Sequence, residues 1–300
     1  MIEFKPIIPK EKELYARYLF DGRERGCELS FANLCLWGKQ QAAILYDHMV
    51  LYSQFNQDFV YPYPVGTGNK KAVLDSVIAD ARERGIPCRI TSLREDDILM
   101  LEQLYPGKFR IACSRNSSDY VYSIDDLADL KGRKYHRKRN HLKRFRDSYP
   151  EYTVRPLDDE LLPQVRHMVD VWYSDHQNST TDGDFEMEQT TLCKALQLYR
   201  ELDMETLVLL HDEEVLAITF GSRLSEDTFD IHFEKAKPDA DGAYTAINYE
   251  FANYLRRKYP EIRFLNREED MGVEGLRKAK ESYYPHHMVE KCHAVLLEEH

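Results

Sequence analysis

Three strand-like apolar runs follow one another between residues 205 and 235, and they constrain the fold more than any other feature. They cover 205–210, 214–223 and 227–235. The first two are joined by His211-Asp212-Glu213, and Ser225-Glu226-Asp227 marks the second turn. Strands linked by such short turns must pair antiparallel. A helix at 243–258 follows, with Ile247, Phe251, Tyr254 and Leu255 on one face, and then a buried strand at 262–266. A strand at 151–156 and helices at 159–175 and 186–202 precede the three runs. The stretch from Asn178 to Asp184 reads as a polar loop. A helix at 273–283 and a strand at 288–297 close the chain. The order β, α, α, β, β, β, α, β, α, β is not a strict alternation, so a doubly wound sheet is excluded.

The first half gives a similar, shorter order. Strands are expected at 2–8, 42–46, 48–55, 58–63 and 87–92, with two more inside 109–124. Helices are expected at 10–24, at 96–105 and from Asn69 to Gly85, where Val73, Val77, Ile78 and Ala81 form the apolar face. Length fits two domains of ordinary size. Between the halves, residues 131–146 read KGRKYHRKRNHLKRFR, nine Lys or Arg with no acid, in a chain of net charge -11. The expected division is therefore 1–130, a basic linker helix at 131–149, and 150–300.

No apolar run of about 18 residues occurs, so no transmembrane helix is expected. The N-terminus lacks the pattern of a signal peptide. Both point to a cytoplasmic protein, with docking at a membrane surface left open. Six cysteines without a C-x-x-C pair read as free thiols of a reducing compartment. The histidines show no metal-binding spacing, and no metal is expected. His286 and His287 begin a strand and are expected on opposite faces.

The densest chemistry lies at Asn266-Arg267-Glu268-Glu269-Asp270-Met271-Gly272-Val273-Glu274-Gly275-Leu276-Arg277-Lys278-Ala279-Lys280-Glu281-Ser282-Tyr283-Tyr284-Pro285. It begins where a buried strand ends, the usual place for a site in an α/β sheet. Arg277, Lys280 and Tyr284 are spaced to share a helix face. The acids could equally cap the helix that follows.

This segment, the basic window and the stretch CELSFANLCLW at 27–37 together resemble an uncharacterised bacterial family related to the C-terminal domain of phosphatidylglycerol lysyltransferases. The resemblance spans essentially the whole chain. It implies an α/β (α+β) fold of two tandem GNAT-like acyltransferase domains with mixed, largely antiparallel sheets. Relatives of this family move an amino acid from charged tRNA to a lipid headgroup. The segment Gly275-Leu276-Arg277-Lys278-Ala279-Lys280 is also similar to a late Gly-Leu-Tyr-x-Phe-Lys segment of Fem-type peptidyltransferases. That likeness implies an oxyanion-stabilising role for Lys280.

The implied reaction is acyl transfer, in which an amine or hydroxyl attacks an ester or thioester carbonyl and a cation steadies the oxyanion. Glu268 and Asp270 are the candidate bases. Asn266, Arg277 and Tyr284 are candidate substrate contacts. Arg137, Lys138 and Arg139 are placed on tRNA phosphates or an anionic lipid surface; a solvated, ion-paired helix is the plain alternative. No DNA partner is expected. No cofactor is required, although a coenzyme A donor stays open. The turn 237–244, with one Gly and two acids, suits its pyrophosphate poorly. Two other readings remain: a non-catalytic tRNA- or lipid-binding protein, and a coenzyme-A-dependent N-acetyltransferase.

Overall fold

In the computed structural model the described residues are 1–20, 24–37, 40–55, 58–176 and 183–297. They form two units. One comprises Met1–Asp119, Glu269–Val273 and Met288–His300; the other comprises Tyr120–Glu268 and Glu274–His287.

The first unit is built on a mixed sheet. Its order is Lys5–Pro6, Gln40–Leu45, His48–Phe55, Asp58–Pro62, Arg89–Leu93, Cys292–Leu296 and Phe109–Cys113, and Val65–Gly66 pairs beside His48–Phe55. The pairs are antiparallel except Asp58–Pro62 with Arg89–Leu93, which run parallel. A parallel pair needs a crossover, and the helix Lys70–Arg84 supplies it. Asn69 caps this helix through Ala72 N, and Gly85 ends it at φ 68°. The helix buries Val73, Leu74, Val77 and Ala81 against Tyr61, Ile90, Leu93 and Ala294.

The final strand expected at 288–297 is instead two strands, His287–Val289 and Cys292–Leu296. The second lies inside the first unit's sheet. Alternating apolar residues say that a strand is buried, not which sheet takes it. Its register sets Cys292 opposite Cys113, and the two are disulfide-bonded. This corrects the expectation of free thiols for that pair; the partners lie 179 residues apart, beyond what spacing reveals. Cys27, Cys35, Cys88 and Cys193 are not disulfide-bonded.

In the second unit the sheet runs Asp119–Ser123, Phe264–Asn266, Thr228–Ala236, Glu214–Arg223, Glu205–His211 and Thr153–Arg155. One pair, Thr228–Ala236 with Phe264–Asn266, is parallel, and the helix Ala243–Lys258 connects it. That helix keeps the expected bounds. It buries Ala246, Ile247, Phe251, Ala252 and Leu255, and ends in Arg256, Arg257 and Lys258, where positive charge meets the negative end of the dipole. Helices Leu162–His176 and Gly183–Leu198 also pack in this unit. Of the polar loop expected from Asn178 to Asp184, residues 178–182 lie outside the described residues, and its last two belong to the second helix, which begins at Gly183 rather than 186.

The basic window forms the helix His136–Ser148 after a short turn at Arg133–Tyr135. It buries Leu142 and Phe145 and packs beside the start of Ala243–Lys258. Gly242 sits at that contact with φ 84°. A Cβ there would lie 2.7 Å from His141 O and 3.0 Å from Phe145 Cβ, so a side chain is excluded.

Candidate active site

The two parallel strands of the second unit pair at only three positions: Thr228 with Phe264, Phe229 with Leu265, and Asp230 with Asn266. Beyond them the longer strand runs on to Ala236, while the shorter one leaves the ladder, with Arg267 N donating to Tyr120 O. The gap opens at the carboxyl ends of parallel strands, where α/β proteins bind ligands. A bulge falls in the same strand. Gly221 pairs with Ile231 and Phe220 with Phe233, so His232 has no opposite residue. Bulges re-aim side chains in this way.

Two polar groups stand at the gap. In the first, Arg267 Nη2 donates to Glu234 Oε1 at 2.9 Å, and Asn248 Nδ2 donates to Glu234 Oε2 at 3.4 Å. The Arg267 and Glu234 side chains are only 14% and 11% exposed. Lys138 turns onto the same group. Its Nζ lies 3.6 Å from the centre of the buried Tyr283 ring. Burial, with the Arg267 charge adding and Glu234 opposing, pushes its pKa down to about 8. Tyr135 OH donates to Tyr283 O at 2.9 Å and fixes that segment.

In the second group, His232 Nδ1 lies 3.3 Å from Glu268 Oε1 and 3.4 Å from Asp230 Oδ2. Its Nε2 is 2.8 Å from Ser222 Oγ. Asn266, fully buried, accepts from Glu268 N at 2.7 Å and holds Glu268 at φ 57°.

The expected residues are therefore dispersed. Lys280 is buried, and its Nζ donates to Arg267 O at 2.5 Å, while Tyr122 OH donates to Lys280 O. Tyr284 does not share the Lys280 face. The helix is Glu274–Glu281, and Tyr284 lies past its end at φ 54°, exposed, with its ring 5.7 Å from that of Tyr135. Arg277 is half-buried on the helix. The three consecutive acids diverge: Glu268 joins His232 in the second unit, while Glu269 and Asp270 belong to the first unit. There Asp270 Oδ1 accepts from Gly272 N and Oδ2 pairs with Arg115. Arg139 donates to Leu130 O and Gly132 O, tying down the start of its own helix. Arg137 faces a shallow surface depression with Asn140, Lys143, Arg144 and Asp147. The His286 and His287 rings touch, Nδ1 to Nδ1 at 2.9 Å, instead of facing apart, because His286 precedes the strand.

Sequence reasoning missed Glu234, Asn248, Tyr283 and the inward turn of Lys138. One signal was available: charged residues at 230, 234 and 235 inside an otherwise apolar strand, where each needs a partner.

Two clusters bring three metal-type donors within 4.8 Å of one another among the described residues. In the first unit, Cys27, Asp119 and Glu269 surround Lys291 Nζ, a cation already in place. In the second unit the cluster is Asp230, His232 and Glu268.

The family described as phosphatidylglycerol lysyltransferase, C-terminal, matches residues 21–295. The chain belongs to that family. A conserved protein of unknown function from Bacteroides thetaiotaomicron VPI-5482 is 35% identical, covering 99% of this chain and 100% of its own, with TM-score 0.93. The L-PGS structure from Bacillus licheniformis is similar at TM-score 0.68 and 15% identity, covering 100% of this chain and 95% of its own. FemX is similar at TM-score 0.62 and 11% identity, covering 99% and 98%. No curated protein matches. The lysyltransferase C-terminal family and the Fem-type proteins thus share this fold, which is a tandem GNAT-like one. No helix among the described residues is long and apolar enough to cross a membrane.

Proposed function

We propose that this lysyltransferase-family chain moves an aminoacyl group from charged tRNA to an amine- or hydroxyl-bearing acceptor, such as a lipid headgroup or a peptide. The observation that carries the reading is the pair of cations, Arg267 and Lys138, at the gap between the parting strands of the second unit.

An acceptor nucleophile adds to the ester carbonyl, and negative charge develops on its oxygen. Arg267, held against Glu234, supplies a fixed positive field for that oxygen. Lys280 acts one step back: by holding the Arg267 carbonyl it positions the guanidinium. Lys138 in its neutral form, which a pKa pushed down to about 8 makes accessible, takes the proton that the acceptor gives up. The tetrahedral adduct then collapses, the ester C–O bond breaks, and the tRNA hydroxyl leaves with the proton that Lys138 returns. No covalent enzyme intermediate is needed.

The outward cations Arg133, Arg137 and Lys143 form no ion pair among the described residues, whereas Lys131, Lys134, Arg144 and Arg146 pair with Asp129, Asp126, Asp241 and Glu250. The three outward cations are the contacts proposed for tRNA phosphates. A coenzyme A donor fits less well. The carboxylates of Asp239 and Asp241 flank the N-terminus of Ala243–Lys258, where its pyrophosphate would need positive potential.

The test pairs transfer with binding. Arg267→Met should lower single-turnover transfer from labelled aminoacyl-tRNA by at least about 100-fold, the scale of one lost oxyanion contact, while tRNA retention on a filter is unchanged. Undiminished transfer would remove Arg267 from the reaction. Retention of tRNA by the wild-type protein without any transfer would favour the binding-protein reading.

A further inference from the structure

In the second unit, an imidazole stands between two carboxylates. His232 Nδ1 lies 3.3 Å from Glu268 Oε1 and 3.4 Å from Asp230 Oδ2. The three residues each offer a donor atom within 4.8 Å of the other two. These spacings decide between two arrangements. In a direct imidazolium–carboxylate pair, a charge-assisted hydrogen bond closes to about 2.7–2.9 Å. Neither contact is that short, and the single proton on Nδ1 cannot serve both acceptors. In a tetrahedral metal site with bonds of about 2.0–2.1 Å, neighbouring donor atoms stand about 3.3–3.4 Å apart. Both contacts at His232 have that second spacing.

We propose that Asp230, His232 and Glu268 bind one divalent transition-metal ion, zinc being the metal their donor atoms suit best. The site is built from other side chains than Lys138, Arg267 and Glu234 and does not depend on the transfer reaction. The fold places each ligand. His232 is the bulged residue of its strand and is re-aimed by the bulge. Asp230 is fully buried in the same strand. Glu268 is turned by its φ of 57°, and its N donates to the Asn266 side chain at 2.7 Å. The imidazole is fixed from behind, with Nε2 2.8 Å from Ser222 Oγ. When Nε2–H donates to that hydroxyl, Nδ1 turns its lone pair toward the two carboxylates. Metal-ligating histidines are oriented in this way through their other nitrogen. An imidazole in the set favours zinc and its neighbours over magnesium and calcium. The side chains of Asp230 and His232 are 0% exposed and that of Glu268 is 21% exposed. An ion therefore enters past Glu268, and the fourth position faces the same way, open to water or an oxygen ligand. The cluster of Cys27, Asp119 and Glu269 in the first unit differs, because Lys291 Nζ already stands among its donors.

The full chain is stripped with EDTA, dialysed, and titrated with Zn²⁺ by calorimetry and with Co²⁺ by visible absorption. The expected result is one ion per chain, with the intense d–d bands of tetrahedral cobalt. Ser222→Ala removes only the group behind the imidazole and should weaken binding by about 10–100-fold. Glu268→Gln removes a ligand at a partly exposed position and should weaken it further. Glu269→Gln, next in sequence but in the other cluster, should leave the affinity unchanged. No binding by the wild-type chain, or binding that Glu268→Gln and Ser222→Ala both leave unchanged, overturns the proposal. A second readout needs no variant. Proton NMR of the cobalt-loaded wild type should show one hyperfine-shifted exchangeable imidazole resonance, the Nε2 proton of His232. Absence of that resonance overturns the proposal, and so do two such resonances, which would put the ion on His286 and His287.

Discussion

Lys138 offers the sharpest physical test, because its proton affinity reports on two neighbours of opposite charge. Burial pushes its pKa down to about 8, Arg267 pushes in the same direction, and Glu234 pushes back. Replacing Arg267 by Met removes a like charge and leaves Glu234 without its guanidinium, and both changes favour the ammonium. Replacing Glu234 by Gln removes the one favourable partner and leaves the guanidinium alone, which favours the neutral amine. A neighbouring charge typically moves a pKa by about one to three pH units. The Arg267 and Glu234 side chains are 14% and 11% exposed, so solvent screens them poorly, but Lys138 is half-buried and the low end applies. We expect a rise of about one pH unit in Arg267→Met and a fall of about one in Glu234→Gln. The assay is the pH titration of the Lys138 Cε and Nζ resonances, assigned with Lys138→Met. Movement of both variants in the same direction, or no movement in either, would refute the description of this group as a coupled triad.

Three further outcomes follow. Between about pH 8 and the ordinary lysine value of about 10.4, the unfolded chain binds a proton at position 138 that the folded chain does not. Wild-type stability relative to Lys138→Met should therefore rise with pH across that window, and urea unfolding at about pH 7.5 and about pH 10 checks it. In the first unit, Lys291→Met strands the fully buried Asp119 together with Glu269 and Glu28, and should cost about 3–5 kcal/mol at neutral pH. The cost should shrink as the pH falls, because the stranded carboxylates hold protons more tightly folded than unfolded; a loss under about 1 kcal/mol, or one independent of pH, would contradict the burial argument. Arg137→Gln with Lys143→Gln should reduce the salt slope of tRNA binding by about 1.5–2, measured by filter retention from about 50 to about 200 mM salt.

Local patterning carried most of the secondary structure. Helix Ala243–Lys258 was legible from its apolar face of Ile247, Phe251, Tyr254 and Leu255, and it keeps the expected bounds. The three antiparallel strands between 205 and 236 were legible from their apolar runs and the short polar turns between them. What was illegible depends on contacts distant in sequence. Cys113 and Cys292 meet only because the last strand enters the first unit's sheet. Lys138 differs from Arg137 and Arg139 only by the helix face that meets Tyr283, and the direction of that face is set by Leu142 and Phe145 packing inward. Glu268, Glu269 and Asp270 looked like one acidic cluster, but the positive φ of Glu268 turns the chain and sends them to different partners. The motif at 266–285 contributes Arg267, Lys280 and Tyr283 to the group at the strand gap. It did not name Glu234 and Asn248, which come from the neighbouring strand and its crossover helix.

The most direct measurement is the fate of label on a mixed pool of aminoacyl-tRNAs incubated with the protein and cell-extract lipids and peptides. The account predicts protein-dependent loss of label from tRNA and its appearance in an acceptor by an amide or ester bond, abolished in Arg267→Met. Label that stays on tRNA in the presence of wild-type protein, across lipid and peptide acceptors alike, would contradict it.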